Sequence, residues 1–166
     1  MNKDTSLPKL SVLDSEMAYR EAGPIDAPIL HSPSAVSMGN PHAIFWVDDP
    51  NAYDLATIGP ALEHDPLFPE RANITLAAIP SPKRLSIRTW ERGAGLTQAC
   101  GSAACAAAVA AARLGRAERS VTVSLPGGEL AIEWRESNDD VLMTGLVAYE
   151  HKGRFDAALF ADLGAA

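Results

Sequence analysis

Only two cysteines, Cys100 and Cys105, occur in the 166 residues, which excludes a small secreted scaffold held by disulfides. They fall in a stretch that reads as helix and point to different sides of it, so they are poorly placed to bridge each other. No Cys/His spacing suggests a metal. Positive charge is also sparse: Lys and Arg number 14 against 21 Asp and Glu, for a net charge of −7. The basic residues are scattered, so no nucleic-acid partner is expected. No apolar run is long enough to span a membrane, and MNKDTSLPKL at the start lacks the apolar core of a signal peptide. Free thiols and the missing export signal point to a cytoplasmic protein. A GxxxxGKS phosphate loop, a dinucleotide fingerprint and a lysine set for a Schiff base are all missing, as are internal repeats and low-complexity tracts.

What is present centres on Glu91–Gly115, ERGAGLTQACGSAACAAAVAAARLG. A Gly-rich turn leads into Ala99-Cys100-Gly101-Ser102, then into a run of alanines with no polar face. A helix that is apolar all round belongs inside a structure, and small side chains let strands approach it from every side. Cys100 stands where this helix begins, beside the unpaired N–H groups of Gly101, Ser102 and Ala103. That position favours a thiolate and an adjacent anion. Gly93, Gly95 and Gly101 permit close approach by a ligand. On these residues alone Cys100 is either a small buried hydrophobe, a nucleophile or a general base. A nucleophile needs an orienting histidine, and only His42, in the turn Gly39-Asn40-Pro41-His42, has a suggestive setting. Cys105 reads as core packing.

The rest of the chain reads as many strands and one further helix. Residues 1–26 form a polar, partly disordered leader, and 27–166 form one domain. Pro28–Ser37 reads as edge strand or extended chain, MGNPH (38–42) as a compact turn, and AIFWV (43–47) as a strand. Leu55, Ile58 and Leu62 mark a helix within 53–64, confined or kinked by Pro60. ANITLAAI (72–79) and RLSIRTWE (84–91) make a hairpin, and strands follow at 121–125, 129–134 and 141–149. The fold class expected is α+β, with strands wrapped around a central buried helix, rather than an alternating parallel sheet.

MGNPH (38–42), FPERANI (68–74), WERGAGLTQACGSAACAA (90–107) and LPGGELAIEW (125–134) occur in the order in which diaminopimelate epimerases carry such segments. From about residue 25 onward the chain resembles the C-terminal half of that family. The resemblance implies a cofactor-independent isomerase that interconverts LL- and meso-2,6-diaminopimelate in lysine and cell-wall synthesis. Two similar domains each supply a cysteine, one removing the α-proton and the other returning a proton to the opposite face. Cys100 matches the C-terminal cysteine, and Gly101 and Ser102 the donors to the substrate α-carboxylate. Asn40, Asn73, Glu91 and Arg92 match the polar residues that hold the substrate. Glu91 and His42 match the groups that tune the two cysteines, Glu91 for Cys100 and His42 for its counterpart.

Three departures accompany the match. Leu96 stands where the family often has Glu, and Ala103 where Gly is usual. The family's N-terminal half, with an Asn-Gly-Asn segment and its own cysteine, has no counterpart here, so that domain is the implied partner and the chain alone is expected to be inactive. A homodimer is a further possibility. Two alternatives accompany this reading. One is a related isomerase of the same fold, of the proline racemase or phenazine-pathway type, which the charged set Asn40, Asn73, Glu91 and Arg92 disfavours. The other is a non-catalytic module that binds an amino acid or a partner domain.

Overall fold

The computed structural model describes residues 11–12, 30 and 32–156. Most of the expected leader (1–26) and the last ten residues lie outside the described residues. One mixed sheet of nine strands organises the chain. In order these are β1 (Ser11–Val12), β2 (Ser34–Ser37), β3 (Pro41–Trp46), β4 (Asn73–Ser81), β5 (Arg84–Glu91), β6 (Gly95–Thr97), β7 (Ser120–Leu125), β8 (Gly128–Trp134) and β9 (Val141–Gly145). Spatial order follows chain order except that β6 pairs only with β5: β4 runs along one edge of β5, while β6 at residues 89–91 and β7 at residues 84–86 share the other. Two helices, α1 (Leu55–Glu63) and α2 (Gly101–Arg113), complete the fold.

Most neighbours are antiparallel, but β3 pairs with β4, and β5 with β7, in parallel. Parallel neighbours need a crossover, and α1 and α2 supply the two. Each helix thus closes a β-α-β crossover inside an otherwise antiparallel order. The short strand β6 lies in a stretch that reads only as a Gly-rich turn, and β9 ends at Gly145, short of the expected 149.

Alternation along the strands sorts two cores. Ala43 and Phe45 of β3 and Ile74 and Leu76 of β4 pack with Leu55 and Leu62 of α1. Ile44, Ala77, Leu85 and Ile87 pack with α2. A strand buried on both faces reads as a continuous apolar run, which is why AIFWV shows no polar alternation. Asp54 starts α1, its carboxylate accepting the Thr57 N–H at 3.3 Å and hydroxyl at 2.7 Å. Pro60 sits inside this helix.

Every residue of α2 from Ala103 to Ala111 is buried. The helix touches β2, β3, β4, β5, β7, β8 and β9. Thirteen residues make a helix about 20 Å long and about 10 Å across with small side chains. Seven flat strands would span about 29 Å, so contact with all of them requires the sheet to curl. Alanine is what makes that approach possible, because any larger side chain would hold the strands off.

Candidate active site

Strand register brings the polar residues to one place. His42 of β3 and Asn73 of β4 are paired across the parallel ladder. Glu91 of β5 lies one residue beyond the Ile74–Trp90 pair, which sets it opposite Asn73. By alternation with Ile44, Ala77 and Ile87, all three belong to the α2 face. They line up at the ends of three adjacent strands, where α2 begins. Asn40 comes from the three-residue loop Met38-Gly39-Asn40 between β2 and β3, whose Gly39 takes φ +93°, a conformation suited to glycine.

Cys100 is the residue immediately before α2, in extended conformation, with no side-chain capping bond. It is 5% exposed, and both cysteines are free. Ser102 Oγ lies 3.5 Å from Cys100 Sγ and accepts from Asn40 Nδ2 at 3.4 Å. Asn40 Oδ1 is in turn 3.1 Å from His42 Nε2. An amide nitrogen can only donate and its oxygen only accept. Two directions are therefore fixed, His42 Nε2–H to Asn40 and Asn40 to Ser102, while between Ser102 and Cys100 either group can donate. His42 Nδ1 is left as a buried acceptor with no partner among the described residues.

Electrostatics follow from burial. His42 is 1% exposed, and desolvation pushes its pKa from 6.5 down to about 4, with Glu91 opposing and Arg92 assisting. The ring is neutral at pH 7, and the bond to Asn40 Oδ1 puts its proton on Nε2. Burial also pushes the Cys100 thiol up; the Ser102 hydroxyl and the Ala103 N–H pull it down, and the Glu91 carboxylate adds to the rise. The net direction is upward, opposite to the lowering expected from the helix start alone. Desolvation outweighs the helix end here, so Cys100 rests as a thiol. Burial raises Cys105 as well, and the Cys100 charge adds to it.

The remaining pair is held in the loops. Asn73 Nδ2 donates to the Pro41 carbonyl at 3.0 Å, and its Oδ1 accepts the Arg92 backbone N–H at 2.9 Å. Arg92 itself reaches the Glu70 carbonyl at 2.9 Å. Asn73 thus spends both amide groups on the backbone. Gly101 lies under the Met143 thioether: an added Cβ would come 2.8 Å from Met143 Sδ. Two residues with no motif to announce them also belong to this neighbourhood, Met143 on β9 and Glu63 at the end of α1. Among the described residues no group of three or more His, Cys, Asp or Glu gathers as metal ligands. None of the helices described is long and apolar enough to cross a membrane.

Residues 34–150 match the family model described as diaminopimelate epimerase. The chain belongs to the diaminopimelate epimerase family. It is 67% identical over 147 residues to a diaminopimelate epimerase of Rhodopseudomonas palustris, covering 89% of this chain and 50% of that protein. It is 66% identical over 150 residues to the one of Afipia carboxidovorans, covering 90% of this chain and 52% of that protein. The chain thus spans about half the length of the curated relatives it matches. Among solved structures it is similar to a phenazine biosynthesis PhzF family protein of Enterococcus faecalis, at 15% identity and a TM-score of 0.45, covering 58% of this chain and 35% of that one.

Proposed function

We propose that this chain is the half of a cytoplasmic diaminopimelate epimerase that contributes one of two proton-transferring cysteines, with the other half of the relatives' length supplying the second. The observation that carries the reading is Cys100 at the start of α2, joined through Ser102 and Asn40 to a neutral His42 and faced by the Glu91 charge. The fold class goes with it: α+β, strands wrapped around a central buried helix, supported by the burial of Ala103–Ala111.

An α-proton next to a carboxylate is very weakly acidic, so the carbanion needs fixed dipoles and a well-placed base. The N–H groups of Gly101 and Ser102 would take the α-carboxylate at the start of α2. Cys100 as a thiol is the proton donor to one face of the carbanion; after giving up its proton it is the base for the reverse direction. The Ser102 hydroxyl donates to the thiolate as it forms. Asn40, Asn73, Glu91 and Arg92 would hold the rest of a substrate charged at both ends. No cofactor is needed for this chemistry. His42 has its Nε2 directed along the chain to Cys100, so we assign its influence to this cysteine, whereas the family resemblance assigns it to the counterpart. Met143, Leu146, Val147, Tyr149 and Phe155 are exposed apolar residues on one stretch, which supports association with the other half or with a second copy.

Proton NMR of diaminopimelate incubated with the chain in D2O tests the reading. Exchange of the α-proton on adding a separately expressed N-terminal half, abolished by Cys100→Ala, is the expected result. Exchange by the chain alone would mean that Cys100 acts as a base by itself or that a second thiol is supplied across a homodimer. A folded chain that supports no exchange in either case would leave a binding module instead.

A further inference from the structure

Glu63 is a carboxylate placed where carboxylates seldom sit. It ends α1 and is 3% exposed. One oxygen, Oε2, accepts the Trp90 indole N–H at 2.7 Å. The other, Oε1, accepts the Gly93 backbone N–H at 3.0 Å, with Arg71 Nη1 at 3.7 Å. Both donors flank the pair Glu91-Arg92. Residues 91–94 form a turn closed by Ala94 N–H to the Glu91 carbonyl at 3.0 Å, with Gly93 at φ +74°, as such turns demand at their third position. The same turn is gripped from the other face by Asn73 Oδ1 on the Arg92 N–H. Trp90 is itself seated on glycine, since a Cβ at Gly59 would come 2.5 Å from its ring.

We propose that Glu63 is a positioning residue that fixes the Glu91–Arg92 turn against Cys100 through Trp90 and Gly93, without touching substrate. The inference rests on reading Glu91, Arg92 and Cys100 as the reactive site. Only an ionised carboxylate offers separate acceptors to two donors on opposite sides of it. An amide at this position turns its NH2 toward one of them and leaves that donor unmatched. Although burial pushes the Glu63 carboxyl up, the Trp90 indole and Gly93 N–H groups, with His64 and Arg71 behind them, hold it below the usual range.

The readout is the pH profile of Cys100 alkylation by iodoacetamide in the full chain, which does not depend on turnover. Because Glu91 raises the Cys100 thiol, a loosened turn lowers it. Glu63→Gln is expected to shift the profile to lower pH, toward that of Glu91→Gln, and to speed alkylation at neutral pH by about twofold or more through the larger thiolate fraction. In a Glu91→Gln background the same change is expected to produce no further shift, and Glu63→Asp to restore the wild-type profile in part. An unmoved profile in folded Glu63→Gln, or an equal shift in both backgrounds, overturns the proposal. Should Glu63→Gln not fold, the wild-type chain still decides: the Gly93 amide resonance must move with a single carboxyl titration on acidification, and a Gly93 signal that stays put overturns it. Absence of epimerisation, by contrast, would bear on the reactive-site reading and leave this coupling intact.

Discussion

Lowering the pH from 7 to 5 should loosen the fold through His42. The unfolded chain titrates this ring at 6.5, whereas the folded chain holds it neutral down to about 4. Between those values the unfolded state binds more protons, so stability present above 6.5 is lost as the pH falls. At pH 5 the ratio (1 + 10^1.5)/(1 + 10^−1) favours the unfolded chain about thirtyfold, which is about 2 kcal/mol; at pH 7 the same expression gives almost nothing. Glu63 and Asp54 are carboxyls held below their ordinary 4.5 and 3.8, so the stability they contribute is lost only at lower pH. The perturbation is His42→Gln, whose amide nitrogen can still donate to Asn40. Urea unfolding followed by tryptophan fluorescence at pH 7, 6 and 5 measures the effect. Wild type should lose about 2 kcal/mol more than the variant over this window. Equal losses in the two proteins would refute the account of a buried, neutral ring.

Two glycines that both meet a neighbour should respond differently. Gly59→Ala drives a Cβ into the Trp90 ring; overpacking of about 3 kcal/mol, less about 1 kcal/mol of helix propensity, leaves a net loss of about 2 kcal/mol by urea unfolding. Gly101→Ala meets only the end of the half-exposed Met143 side chain, which can swing away, so its cost should stay below about 1 kcal/mol. Ser102→Ala removes a donor that favours the thiolate, so iodoacetamide should alkylate Cys100 more slowly at neutral pH. Faster alkylation would contradict the proposed direction of the Ser102 bond.

Local pattern carried much of this fold. The alanine run and the turn signals place α2 and the hairpin, and the alternation in RLSIRTWE groups Leu85, Ile87 and Thr89 on one face, which burial shows to be the inner one. Cys100 could be seen at the helix start because a change of texture marks that boundary. Pairing between distant strands leaves no such mark. Nothing near residue 42 indicates that Asn73 is its parallel neighbour, or that β6 and β7 share one edge of β5. The direction of the Cys100 shift was equally out of reach, since it depends on how much water the folded sheet excludes. Glu63 was missed for a plainer reason. On a helix beside Leu62 it reads as one more solvated charge, and only the three-dimensional approach of Trp90 and Gly93 reveals what it binds.

The alanine helix has a further consequence for how the sulfur is held. Cys100 has no side-chain capping bond, and the contact of its sulfur with Ser102 Oγ is a long 3.5 Å, a loose hold at the tip. What fixes it is the tight seating of α2 further back, where Ala103–Ala111 are in contact on all sides and have no slack to slide or turn. Like the point of a compass, the reactive atom takes its accuracy from the shaft. A single methylene added deep in α2, well away from the thiol, would therefore displace the thiol as surely as a change beside it.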